Sequence, residues 1–267
     1  MIGVELRKLL LRPRTWVTVG LLCALPTAVA VLLAVTDIGP RPGEGPPFLS
    51  AVLTNGALFP AAALALVLPL FLPVAVAVVA GDTVAGEASA GTLRYLLIRP
   101  VGRTRLLVAK LVSVAAFVLL AVVAVSTSAY VVGVQLFGVG PVATTAGTTL
   151  TTTDATLRTV FAVLYVGWCM LGVAAVAVFL STVTDSPLAA ALGAVAFLIA
   201  SSVFLTLDAS AAFSPYLPTR YWLAFVDLFR DPIATRDLQR GIALQGVYVA
   251  VLLGAAWANF TTKDVTS

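Results

Sequence analysis

Polar chemistry in this chain is concentrated in one stretch, Gly81 to Arg105 (GDTVAGEASAGTLRYLLIRPVGRTR). Two carboxylates, Asp82 and Glu87, open it. A Gly91-Thr92 break follows, then an apolar patch of Leu93, Tyr95, Leu96, Leu97 and Ile98. A Pro100–Gly102 turn leads to Arg103 and Arg105, with Lys110 just beyond. These residue types do recognition rather than bond-breaking. Arginine and lysine hold headgroup phosphates, and an apolar patch ringed by charge on the water side of a membrane is a docking surface for another protein. A plain amphipathic re-entry helix with snorkelling arginines fits the same residues. Residues for covalent or metal chemistry are sparse. Histidine is absent, which removes the commonest general base and metal ligand. Cys23 and Cys169 sit inside apolar runs and read as small buried hydrophobes. No His-Glu-x-x-His, Gly-x-Ser-x-Gly or intramembrane carboxylate pair occurs, so no catalytic or metal-binding residue is assigned. No Gly-x-x-x-x-Gly-Lys-Ser/Thr loop occurs either, and the lysines are Lys8, Lys110 and Lys263 alone. The chain is expected not to bind ATP or another cofactor itself.

The elements that position this stretch follow from composition. The 267 residues are 60% hydrophobic and 10% charged, with a mean hydropathy of +1.06, against about 25% charged for a soluble domain. The expected class is an all-α polytopic membrane protein. A spanning helix needs about 20 mostly apolar residues, and six runs qualify: Trp16–Val35, Ala57–Ala80, Leu106–Leu136, Leu157–Thr182, Leu188–Leu207 and Ile242–Phe260. The first is too long for a signal h-region and reads as an uncleaved span. Ahead of it, residues 1–14 alternate leucine with charge until Pro13, as an amphipathic helix in the interface or a plain basic anchor does. Residues 208–241 form the longest link, whose Tyr216, Tyr221, Trp222, Phe225 and Phe229 suit short helices at the membrane surface on the outer side. The whole chain is read as one transmembrane domain.

Lysine and arginine bias orients the spans. With the N-terminus inside, ten of the sixteen basic residues fall on inner segments, including Arg7, Lys8, Arg12 and Arg14 before the first span. The net charge of +4 then reflects anionic lipid rather than nucleic acid. An even number of spans puts both termini, and residues 81–105, in the cytoplasm, and the membrane is expected to be the plasma membrane.

The order Glu87, Gly91-Thr92-Leu93, Leu96-Leu97, Pro100, Arg103, Leu106, Lys110 resembles the signature of permease subunits of type-2 ABC exporters. Glu5-Leu-Arg-Lys-Leu resembles their amphipathic elbow, and the six-span plan is similar throughout. The resemblance implies a permease that moves an apolar or amphiphilic substrate with the energy of a separate ABC ATPase subunit, which binds the ATP. It implies a second permease copy, or a homologous permease, as a further partner, besides membrane lipids. It also implies that residues 81–105 seat a coupling helix on the ATPase, with Glu87, Gly91, Thr92, Leu93, Leu96, Leu97, Pro100 and Arg103 forming or supporting the contact.

Other features carry less. Pro60, Pro69 and Pro73 of the second span make a flexible lever or are simply tolerated, the latter being the reading taken. Ser126, Thr127, Ser128, Tyr130 and Gln135 line a translocation surface or, preferably, bond between helices. Gly167, Gly172 and the Ala189–Gly193 run allow close helix contact. Asn259-Phe-Thr261 matches a glycosylation acceptor by chance. Near-absence of charge within the spans argues against an ion-coupled carrier. The alternatives to the permease are an ion-independent secondary transporter or channel, and a non-transporting membrane scaffold.

Overall fold

The computed structural model describes residues 1–36, 55–91, 102–140, 142–143, 149–207 and 212–262. Its helices are α1 (Ile2–Leu11), α2 (Pro13–Thr36), α3 (Phe59–Val67), α4 (Phe71–Ser89), α5 (Arg103–Phe137), α6 (Thr152–Val183), α7 (Pro187–Phe204) and α8 (Thr235–Thr262). Short 3-10 segments cover Gly56–Leu58, Ser214–Tyr216 and Trp222–Phe229, and Val142–Ala143 pairs antiparallel with Thr149–Leu150. Six of the helices, α2 and α4 to α8, are long and apolar enough to cross a membrane. The fold is all-α, and the chain is a multi-pass membrane protein.

Burial sorts the six into a centre and a rim. In their most apolar windows α6 is 67% buried and α4 and α5 are 56% buried, against 22% for α2, 28% for α7 and 17% for α8. The centre is therefore α4, α5 and α6, and the rim helices turn most of their surface outward. Leucine and valine fill that outer surface, as lipid contact requires, because hydrocarbon gives no reason to hide them. Both chain-terminal helices, the end of α4, the start of α5 and the end of α6 meet at one end of the bundle, here the near pole. The far pole carries the starts of α3, α6 and α8.

The second apolar run is two helices rather than the single span expected at Ala57–Ala80. The three prolines explain the division. Pro60 falls in the first turn of α3 and Pro73 in the first turn of α4, where no intrahelical N–H is needed. Pro69 sits in the joint, where it can neither donate to the residue 65 carbonyl nor let a straight helix pass it. Leu70 takes φ −140° and ψ −57°. Leu68 N–H donates to Leu64 O at 2.9 Å and Val74 N–H to Leu70 O at 3.1 Å, closing the two helix ends. Above the joint, Gly56 lies against the backbone of Gly133 in α5, with no space for a Cβ on either residue.

At the far pole the segment after α7 is irregular yet packed inward. Tyr216 stays exposed, whereas Tyr221, Trp222, Phe225 and Phe229 are buried. Irregular backbone in an apolar setting needs donors from elsewhere, and side chains of the spans supply them. Tyr165 OH donates to Tyr221 O at 2.6 Å, Gln245 Nε2 to Pro218 O at 2.7 Å, Tyr248 OH to Tyr216 O at 3.0 Å, and Arg158 Nη1 to Leu228 O at 2.9 Å. Gly172 leaves the room into which the Gln245 amide fits, whereas Gly167 faces open space.

Gln245→Leu removes the donor to Pro218 O while keeping most of the volume. An orphaned buried carbonyl costs about 1–3 kcal/mol. We expect the apparent melting temperature of the purified protein in detergent to fall by several degrees, against little change for the exposed Val247→Leu.

Candidate functional site

Charge gathers at the near pole, and its arrangement starts in α1. Glu5, Lys8 and Arg12 are spaced three and four residues apart and so share one helix face. Arg12, the residue before Pro13, takes an extended conformation (φ −75°, ψ 120°), as a residue before proline must. The chain turns there, and the carbonyls left open at the end of α1 are closed from α2. Thr15 Oγ1 donates to Leu9 O and Trp16 Nε1 to Leu10 O, each at 2.8 Å. This elbow lays the charged face of α1 over the end of α4.

Glu87 is the centre of the site. The residue is 7% exposed. Its Oε1 accepts from Lys110 Nζ of α5 at 2.7 Å and from Lys8 Nζ of α1 at 3.2 Å. The Lys110 side chain is 3% exposed and that of Lys8 41%. One carboxylate oxygen thus ties three helices. A second carboxylate, Asp82, one and a half turns earlier, takes Arg12 Nη1 at 3.1 Å and Arg14 Nη1 at 3.8 Å. Between the two ion-pair groups lies a cavity of about 300 Å³. Burying a carboxylate is costly unless cations and hydrogen bonds replace its water, and here α1 and α5 bring the replacements.

The root of the polar stretch is fixed by a hydroxyl. Ser181 of α6, fully buried, donates from Oγ to Gly81 O at 2.7 Å and accepts from Val84 N–H at 3.1 Å and Ala85 N–H at 2.9 Å. The hydroxyl thus bridges a carbonyl and two N–H groups of one turn at the point where α4 leaves the core. Gly81 packs on α7 so closely that a Cβ would stand 3.0 Å from Ala191 N. The helix then ends on Gly91, whose φ of 67° is the left-handed geometry that favours glycine just past a helix end. The exit is fixed as well. Arg103 Nη1 donates to Thr261 O at 2.8 Å and Trp257 Nε1 to Thr104 Oγ1 at 2.9 Å. A cation thereby meets the carbonyl end of α8, where the helix dipole favours it.

Of the eight residues singled out in the sequence, Glu87, Gly91 and Arg103 are described; Thr92, Leu93, Leu96, Leu97 and Pro100 lie outside the described residues. Glu87 is interior and joins helices, Gly91 stops α4, and Arg103 holds the end of α8. Lys110 corrects the expectation that it anchors α5 on headgroups: it is buried on Glu87. Sequence reasoning missed Lys8, Arg12 and Asp82 as partners, and Ser181 altogether. A lysine several residues inside an apolar run was the available signal, because such a charge almost always has a partner. Asn259, the apparent glycosylation acceptor, is half-buried and donates from Nδ2 to Thr182 O at 2.9 Å.

Comparison with known proteins gives one finding. Residues 47–266 match a family described as protein of unknown function (DUF2705), and the chain belongs to that family. A search of curated proteins gives no match. The matched region contains Glu87, Lys110 and Ser181; Lys8, Arg12 and Arg14 precede it.

The two lysines on Glu87 should differ in weight. Removing one partner of a buried pair costs about 3–5 kcal/mol, whereas an exposed partner is worth about 1 kcal/mol or less. Lys110→Met is therefore expected to lower thermal stability in detergent far more than Lys8→Met. The double variant Lys110→Met with Glu87→Leu should recover most of the loss. Equal effects of the two lysine variants would overturn the assignment of Lys110 as the principal partner.

Proposed function

We propose that this member of the family is the transmembrane permease subunit of an ATP-driven ABC exporter. It moves an apolar or amphiphilic substrate, and a separate ATPase subunit seats against residues 81–105. The near pole is the cytoplasmic one, and the membrane is the plasma membrane. The observation that carries the reading is mechanical. Both roots of the stretch are locked into the bundle, Glu87 to α1 and α5 at the entrance and Arg103 to α8 at the exit. Ser181 adds α6 at the entrance. A force applied between these roots is delivered to at least four helices together, as a lever needs. The order of residues from Glu87 to Lys110, similar to that of type-2 ABC permeases, supports the same reading.

Charge supports the orientation. Among the described residues the near pole holds Arg7, Lys8, Arg12, Arg14, Arg103, Arg105 and Lys110, and the early segments weigh most in setting topology. Pro69 supports the transport reading in a second way. A joint just ahead of a central spanning helix can let α3 and α4 move apart, a shift between two packings of the kind that carries substrate across.

The test is purification of the intact assembly, followed by transport and ATPase measurements. An ATPase subunit with a phosphate-binding loop is expected in fixed stoichiometry. Gly91→Val, which puts a branched side chain at φ 67°, should leave membrane insertion intact and lower transport per ATP hydrolysed by about 5- to 150-fold, the usual span of a coupling free energy. An assembly with no ATPase, or a Gly91→Val variant that transports like the parent, rejects the proposal.

A further inference from the structure

On the outward side of the bundle α5 and α6 enclose a groove of about 540 Å³. Its lining changes along its length. Leu119, Val123, Val163 and Leu164 make one end, and Ser126, Thr127, Tyr130 and Thr159 make the other. The helices run antiparallel, so the two gradients coincide. Position along α5 gives the scale. Leu119 is within one residue of the helix midpoint, and Tyr130 lies about 15 Å beyond it at 1.5 Å per residue. Half of a hydrocarbon core is also about 15 Å. With the bilayer centred on the midpoint of α5, the groove is apolar at mid-membrane and lined with hydroxyls where the hydrocarbon gives way to the ester region.

The hydroxyls themselves point to a ligand. Beyond the first turns, every other described serine or threonine side chain of the six spanning helices is engaged within the protein. Thr27, Thr83, Ser128, Thr159, Ser181 and Ser202 all donate to backbone carbonyls. Ser126 and Thr127 are the exceptions: among the described residues neither has a hydrogen-bond partner. Ser126 is only 8% exposed, and its Oγ is buried without one. Tyr130 is alike, whereas Tyr165 and Tyr248 of the other spans both donate to carbonyls. A buried hydroxyl without a partner, as on Ser126, is costly, and all three hydroxyls line the same groove.

We propose that this groove is a site for one membrane glycerophospholipid, with an acyl chain along Leu119, Val123 and Leu164 and its ester oxygens accepting hydrogen bonds from Thr127 and Tyr130. Ser126 joins them by rotation about χ1. The polarity of such a lipid runs in the same direction as that of the groove, and the bilayer supplies it at the right depth. The site stands independently of the transport reading, since it lies between α5 and α6 and shares no lining residue with the near-pole ion pairs.

The test reconstitutes the full chain in phosphatidylethanolamine–phosphatidylglycerol vesicles doped with a phosphatidylethanolamine bearing a diazirine in its acyl chain. After illumination, labelled peptides are mapped by mass spectrometry. Peptides of α2 and α8 report ordinary surrounding lipid in the same molecule. Label is expected to be enriched on α5 and α6 around Val123 and Leu164. In the triple variant Ser126→Ala, Thr127→Val, Tyr130→Phe that enrichment should fall about threefold to tenfold, the effect of losing one or two intramembrane hydrogen bonds, with α2 and α8 labelling unchanged. Leu164→Trp, which fills the groove, should remove it while leaving the same reference labelling. Labelling of the groove no greater than that of α2 and α8 overturns the proposal. So does enrichment indifferent to the hydroxyls, or a disulfide between two copies through Leu164→Cys that shows a second chain in the groove.

Discussion

A carboxylate placed among packed helices has to be given back what water gave it, and much of the near pole follows from how Glu87 is supplied. Its Oε1 takes one ammonium from α5 and one from α1. Neither helix is close to Glu87 in sequence on both sides, so the charge can be satisfied only once the bundle has formed. The elbow at Arg12–Pro13 exists to bring Lys8 over the end of α4, and Thr15 and Trp16 keep it folded by closing the carbonyls of α1. A buried ion pair gives little net stability over a well-packed apolar substitute. Its effect is on arrangement, because relative movement of α4 and α5 breaks the buried Glu87–Lys110 contact, which is expensive to lose.

The same accounting shapes the far pole with single donors. There the problem is irregular backbone rather than charge, and the donors are single hydroxyls, an amide and an arginine from α6 and α8. Ser181 applies the principle inside a helix, where one hydroxyl bridges a carbonyl and two N–H groups of α4. The division of the second span at Pro69 fits this pattern, since each half begins with a proline in a turn that has no N–H to lose. Helix interruption in a membrane is permitted where the freed groups are met by neighbours.

How much of this is legible in the sequence depends on the range of the interaction. The spans are legible because runs of about 20 apolar residues report bilayer thickness directly, and α2, α5, α6, α7 and α8 fall where hydropathy puts them. The break at Pro69 is not, because a proline inside an apolar run reads equally as a tolerated kink. Lys110 is half legible. Its place inside the third run signals a partner, but Glu87 lies across the polar stretch and Lys8 on another helix, and no local pattern connects them. The aromatic residues Trp222 and Phe225 look like surface anchors by composition and are buried, because α6 and α8 offer donors for the backbone on either side of them. Ser181 gives no signal at all: a serine in an apolar run is commonplace until the carbonyl it meets is known.

The two poles therefore differ in what they can exchange. At the far pole the buried bonds, Tyr165 to Tyr221 O and Gln245 to Pro218 O, join a neutral donor to a carbonyl, and breaking one leaves a group with no solvent to turn to, at about 1–3 kcal/mol. At the near pole the side chains of the outer members, Lys8, Arg12 and Arg14, are 41–53% exposed, and water or another protein can take their place at small cost. Beneath them the Glu87–Lys110 pair is sealed and stays. A bundle fixed at one end and re-partnerable at the surface of the other has a single direction in which an external force can enter. On the proposed reading that force enters through the exposed cations and the stretch between Glu87 and Arg103, and reaches the helices through the Glu87–Lys110 and Arg103–Thr261 contacts. The lever reading of the near pole rests on that difference in exchangeability, more than on the number of charges gathered there.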